Sequence, residues 1–114
     1  MPTEQEVENE IIRKNLNAPR VTPQLLDDTI KKDHYHTFMG TALTVCVLEL
    51  QNGFTVTGES ACASPENFNK ELGRKIAYDN AREKIWALEG YLLRQRLFDN
   101  TKHNAKSYEP ERNK

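Results

Sequence analysis

Apolar positions change period twice along this chain. Val7, Ile11 and Ile12 recur at helical spacing behind a capping-box pair, Thr3 and Glu6, and predict a short amino-terminal helix with a thin apolar stripe. Asn15, Asn17 and Pro19 break that pattern, so residues 1–20 read as an arm, either mobile or a helix needing a partner to bury Ile11, Ile12 and Leu16. Thr22 and Pro23 then open a second helix, with Thr22 as its cap and proline at the first helical position, where no useful N–H is lost. Leu25, Leu26 and Ile30 supply its apolar face. Its expected end is near Lys32, whose charge suits the negative end of a helix.

From Asp33 the period is two. His34 to Met39 alternate, Gly40 interrupts, and Thr41 to Leu50 form a long strand. Asn52-Gly53 predicts a two-residue type I′ hairpin, because both central positions need positive φ. That turn sets Gln51 opposite Phe54, Glu49 opposite Val56 and Val47 opposite Gly58, and makes Leu43, Val45, Val47, Phe54 and Val56 the core face. Cys46, Leu48 and Leu50 stand on the other face beside Thr55 and Thr57, so a second covering is expected, from the amino-terminal helices or another subunit.

Ser64 and Pro65 then read as a helix opening. Phe68, Leu72, Ile76, Ala77, Ala81, Ile85, Leu88 and Leu92 carry a stripe, widened by Trp86, Leu93 and Leu97. Some thirty residues would reach roughly 45 Å, more than so small a domain needs, so the helix either bends or belongs to an oligomer. Gly90 is the expected break or kink. Gly73, Ala77 and Ala81 form a small-residue row that admits a close backbone or simply fits beneath the sheet. From Asp99 apolar residues thin out into a solvated tail. The predicted fold class is α+β: a three-stranded antiparallel meander packed with a long carboxy-terminal helix, behind short amino-terminal helices. Its organisation is an arm over 1–20, one domain over 21–98 and a tail over 99–114.

Composition narrows the chemistry. A chain of 114 residues suits one domain, and no apolar run approaches the roughly 20 residues of a membrane span. The acidic start lacks the apolar segment of a secretory signal, which points to a cytosolic address. Sixteen basic and seventeen acidic residues leave a net charge of -1, with no overall field to attract DNA or an anionic membrane. Any anion site must be local. In a reducing compartment Cys46 and Cys62 read as small apolar thiols rather than a disulfide, and His34 and His36 as structural or surface side chains rather than metal ligands. Gly58-Glu59-Ser60-Ala61-Cys62 gathers an acid, a hydroxyl and a thiol, but no histidine stands at a recognisable spacing. The expectation is a protein that is not an enzyme, without catalytic residue, metal or cofactor.

The long helix offers anion recognition instead. Arg74, Lys75, Arg82, Lys84, Arg94 and Arg96 lie among Asn67, Asn69, Asn80 and Gln95, with Phe68, Tyr78, Trp86 and Tyr91 nearby. Guanidinium forks match phosphate oxygens and aromatic rings stack on bases. The competing reading is a solvated face whose charges pair locally, Asp79 and Glu83 with Arg82 and Lys84.

One set of joined motifs is specific: Leu43-Thr44-Val45-Cys46, Asn52 to Cys62, Pro65-Glu66-Asn67-Phe68, Gly73-Arg74-Lys75-Ile76-Ala77 and Trp86 to Leu93. Over residues 34–98 the chain resembles a small-protein family of tailed phages named after gene products of phages N-four and Sf-six. Members of this kind resemble the type-one Thoeris anti-defence sponge, which sequesters cyclic ADP-ribose isomers made by a host TIR enzyme. The resemblance implies a homo-oligomer, a dimer or a higher multiple such as a hexamer, acting in the host cytoplasm. It also implies a cyclic nucleotide partner, a cyclic ADP-ribose isomer or a cyclic oligonucleotide, held at subunit interfaces without hydrolysis. The nearest candidates for the family's aromatic and pyrophosphate contacts are Phe68, Asn80, Arg94 and Arg96, with Arg74 and Lys75 as a second tier. Two other classes stay open: a phage adaptor or regulatory protein binding another protein through Cys46, Leu48 and Leu50, and a hydrolase.

Overall fold

A computed structural model describes residues 2–101. Two short helices come first, α1 (Glu4–Arg13) and α2 (Pro23–Thr29). Both open where the capping residues predict: Glu6 N–H donates to Thr3 Oγ1 and Thr3 N–H to the Glu6 carboxylate, while Leu25 N–H donates to Thr22 Oγ1. However, α2 stops at Thr29, ahead of Lys32. Ile30 turns to extended backbone and pairs with Leu50, and Gln51 N–H donates to the Thr29 carbonyl at 2.9 Å. Sheet pairing thus overrides the favourable placement of a lysine at the helix end.

Strands β1 (Ile30–Thr37), β2 (Leu43–Leu50) and β3 (Thr55–Ala61) form one antiparallel sheet in the order β1-β2-β3, the expected meander. The β2–β3 connection differs from the two-residue turn. Gly53 N–H donates to the Leu50 carbonyl at 2.9 Å and Leu50 N–H to the Phe54 carbonyl at 2.8 Å, so the loop is Gln51-Asn52-Gly53. Of these, Gly53 alone has positive φ, at 91°, and Asn52 Oδ1 instead accepts the Phe54 N–H at 3.0 Å. This is a turn closed by a left-handed glycine, one residue longer than the type I′ alternative.

One extra loop residue moves the register by one, and in a strand that exchanges the faces. Leu48 stands opposite Val56, Cys46 opposite Gly58 and Glu49 opposite Thr55. The core face is therefore Thr44, Cys46, Leu48 and Leu50 with Val56, all buried, whereas Leu43, Val45 and Val47 are half-buried on the outer face. Phe54 is exposed. The expected core face of β2 is thus exchanged while Val56 keeps its place in the core, and with the exchange goes the adaptor surface of Cys46, Leu48 and Leu50, which lies under the long helix.

That helix, α3 (Lys70–Thr101), starts after Ser64. The Ser64 carbonyl accepts the Asn67 N–H and closes only a single 3-10 turn over Pro65–Asn67. Asn69 is the effective cap: its Oδ1 accepts the Leu72 N–H at 2.9 Å and its carbonyl the Gly73 N–H at 2.8 Å. The buried row is Gly73, Ala77, Ala81 and Ile85, while Leu72 and Ile76 face outward. Here the small residues serve the sheet. A Cβ placed on Gly58 would lie 2.2 Å from Ala81 N and 2.4 Å from the Ala77 carbonyl oxygen, so strand and helix backbones pack directly against each other. Leu26 of α2 completes this core from the side.

The helix continues through Gly90, so the break expected there is absent. A Cβ there would meet nothing within 4 Å, so this glycine does not mark a close contact. Strong helix formers on both sides, Leu88 and Glu89 before it and Leu92 to Arg96 after it, outweigh one glycine at about 1 kcal/mol. Beyond Ile85 no residue of α3 is buried; Leu88, Tyr91, Leu92 and Phe98 are all exposed. Residues 102–114, most of the expected tail, lie outside the described residues.

Candidate functional site

The six predicted binding residues fall into separate places. Arg74 and Lys75 sit in the first turns of α3, and Phe68 just before it. The Arg74 guanidinium carbon lies 4.3 Å above the Tyr35 ring, a cation–π contact across to β1. Tyr35 in turn donates its hydroxyl to Asp33 at 2.8 Å, and burial, with that bond, pushes its phenol well above the ordinary range, so it remains a neutral donor. Lys75 pairs with Asp79 at 3.4 Å. Asp33, Glu71 and Asp79 line the same shallow depression as Arg74 and Lys75, so carboxylates outnumber cations there. An anion gains little from such a surface.

Asn80 is engaged with the scaffold. Its Nδ2 donates to the Glu59 carbonyl at 2.9 Å, tying α3 to β3, an edge strand of the sheet. Asn80→Ala is expected to lower stability by about 1 kcal/mol, a fall in Tm of several degrees on a thermal circular-dichroism scan.

Arg82 is also structural. Its Nη1 lies 2.7 Å from Glu4, its Nε 3.0 Å from Asp27, and its Nη2 donates to the Pro23 carbonyl at 3.1 Å. Burial opposes its charge, but the hydrogen bonds to Glu4 and Asp27 outweigh that and raise its pKa above the usual arginine value. Local pairing of Arg82 with Asp79 and Glu83 is thus replaced by pairing with α1 and α2.

Arg94 and Arg96 occupy the exposed distal turns of α3, and neither has a side-chain hydrogen bond or ion pair among the described residues. Two positions along a helix is roughly 200° around it, so they point to opposite sides. Arg94 shares its side with Tyr91 at i−3 and Phe98 at i+4, and Tyr91 is 72% exposed. Ala87 and Gly90 lie on this side too, while helical spacing sends Glu89 and Asp99 away from it. Helical spacing thus puts Arg94 on one side of the helix with two aromatic residues, and no carboxylate among the described residues pairs with it. Tyr91 was prominent in the sequence only as a nearby aromatic and Phe98 not at all; their three- and four-residue spacing from Arg94 is the signal that reveals them.

From Arg74 to Arg94 is about 30 Å at 1.5 Å per residue. One chain therefore does not bring the two groups of cations onto one small ligand.

Both cysteines are free thiols; burial raises the pKa of Cys46 against a smaller opposing effect of Tyr35, whereas Cys62 is half-exposed. Iodoacetamide at pH 8 should label Cys62 readily and Cys46 only after denaturation, as peptide mass mapping would show. Among the described residues no three His, Cys, Asp or Glu side chains stand together as a metal site, and no helix is long and apolar enough to cross a membrane.

The signature of the Phage protein (N4 Gp49/phage Sf6 gene 66) family matches residues 21–97. The chain belongs to this family. The matched region starts at Val21, so it takes in α2, the sheet and α3 through Leu97, including Arg74, Asn80, Arg94 and Arg96, while α1 and Arg20 precede it. Neither the curated proteins nor the solved structures contain a match to the chain.

Proposed function

We propose that this phage-family protein is an anti-defence sponge: it captures a cyclic nucleotide immune signal, a cyclic ADP-ribose isomer or a cyclic oligonucleotide, in the host cytoplasm and holds it without hydrolysis. The observation that carries this reading is the exposed distal part of α3, where Tyr91 is 72% exposed and Arg94, one turn on, has no side-chain hydrogen bond or ion pair among the described residues. Rings of this kind stack on a nucleobase and the guanidinium meets a phosphate.

Magnitude then argues for more than one subunit. One stacked ring contributes roughly 1–3 kcal/mol and one charge-assisted bond about 1.5–3 kcal/mol, so the two together reach about 6 kcal/mol, tens of micromolar at best. Sequestering a scarce signal needs about 8–12 kcal/mol. A homo-oligomer supplies the difference by placing helices from different copies around one ligand, which is also how Arg96, Phe68, Arg74 or Lys75 would join Arg94.

Titration calorimetry against cyclic ADP-ribose isomers and cyclic di- and trinucleotides tests the proposal, with mass spectrometry of the recovered ligand and light scattering of the protein. The expected outcome is sub-micromolar binding of one such compound, recovered intact, by a dimer or higher multiple. Binding by none of them would overturn the sponge reading, and a product mass would make the protein an enzyme. A second reading, an adaptor that binds another protein, draws on the apolar groove of about 410 Å³ between α2, the β2–β3 loop and α3, lined by Leu25, Leu50, Phe54, Leu88 and Leu92.

A further inference from the structure

The surface beneath α1 has the chemistry of a receptor for an acidic helix. Glu4 and Glu8 lie one turn apart on the same side of α1. Glu4 meets Arg82 at 2.7 Å, and Glu8 meets the Arg20 fork with both oxygens, at 2.7 and 2.8 Å. That fork holds the Glu8 carboxyl below its ordinary range. Val7 and Ile11, on the same side, adjoin Val21 and Trp86 around a cavity of about 340 Å³. The contact is thus two carboxylates on two guanidinia, with an apolar strip between.

Among the described residues little else holds α1 down. None of its residues is buried, and a second cavity of about 750 Å³ stays open between it and α2. Ion pairs this near the surface add little to stability, and an isolated helix of ten residues is marginal in water. The family match begins at Val21, so Val21, Arg82 and Trp86 belong to the family unit and the helix that covers them does not.

We infer that the surface of Arg20, Val21, Arg82 and Trp86 is a docking site for an acidic amphipathic helix of a partner protein, and that α1 occupies it from within the chain. A partner helix with two carboxylates one turn apart and a wider apolar strip fills the cavity that α1 leaves open and displaces it. This inference is independent of nucleotide capture, which concerns the other end of α3.

Trp86 is the only tryptophan of the chain, so its fluorescence reports on this surface alone. In the full chain carrying Glu4→Gln and Glu8→Gln, acrylamide quenching of Trp86 should rise at least twofold. A synthetic peptide of residues 2–16 should reverse that rise with a saturable, salt-sensitive dependence, and the same peptide with both glutamates replaced by glutamine should not. On the unaltered chain a fluorescein-labelled residue 2–16 peptide should bind about tenfold more weakly, because α1 competes. Whether the peptide binds the unaltered chain at all is read without the variant, so that readout does not depend on how the variant folds. Failure of the peptide to bind either chain overturns the inference, as does equal binding of the glutamine peptide. Reversal by citrate or phosphate at the peptide's concentration would reduce the site to an anion pocket and remove the helix from it.

Discussion

Gly58→Ala should lower the stability of this chain by about 3 kcal/mol or more, the largest loss expected from adding a single methyl group anywhere in the sheet. Overpacked cores usually relax by changing rotamers. Here the new carbon would fall 2.2 Å from Ala81 N, 2.4 Å from the Ala77 oxygen and 2.8 Å from Ala81 Cα, and none of these atoms can rotate away. The helix must retreat as a whole, which loosens Cys46, Leu48 and Val56 against Ala77, Ala81 and Ile85. For a domain of this size that loss is a fall in Tm of roughly 12 °C or more, read from thermal circular dichroism or as a lower urea midpoint. Gly90→Ala is the control. It adds the same carbon to a helix with nothing within 4 Å, so it should raise helicity and leave Tm unchanged or slightly higher. Equal losses at the two positions would mean that strand and helix do not pack backbone to backbone at Gly58.

If the protein captures a cyclic nucleotide as proposed, Arg94→Ala should weaken that capture at least tenfold, and Tyr91→Ala together with Arg94→Ala about seventyfold or more, with Tm held within a few degrees. A charge-assisted bond of about 1.5–3 kcal/mol and a stacked ring of about 1–3 kcal/mol set those factors. Stability should scarcely respond, since Tyr91 is 72% exposed and Arg94 has no side-chain partner to lose among the described residues. Arg94→Lys separates charge from shape: the ammonium keeps the charge but not the fork, so it should recover part of the loss. Calorimetry on the three variants and the parent decides the matter. Parent-like affinity in the double variant would move the site away from this face, and a large fall in Tm would mean that the face is packed against something the isolated chain needs.

The elements were legible because their signals are local. Thr3 and Thr22 cap the helices they predict, and the change from helical to alternating period locates the meander. The core face was not legible, for a reason confined to a few residues. In β2 both alternating sets are apolar, Leu43, Val45 and Val47 on one side and Cys46, Leu48 and Leu50 on the other, so period alone does not choose between them. Asn-Gly serves a two-residue or a three-residue loop, and those place opposite sets inward. What decides is nonlocal: Gly58 fits only against the small-residue row of α3. Arg82 shows the same limit, since Glu4 stands 78 positions away and no helix-spacing rule reaches it. The charge and rings of the candidate site follow from helical spacing. Whatever another copy adds lies beyond any reading of one chain.

The exposed distal turns of α3 have a further consequence for measurement. From Leu88 to Thr101 the helix has no buried residue, so its amide hydrogens should exchange by local fraying at rates unrelated to the opening of the sheet. A molecule gripping Tyr91 and Arg94 would slow exchange in those turns by its binding free energy and barely touch the cooperative melt. A thermal-shift screen would therefore pass over a true ligand that backbone exchange, followed residue by residue, would register at once.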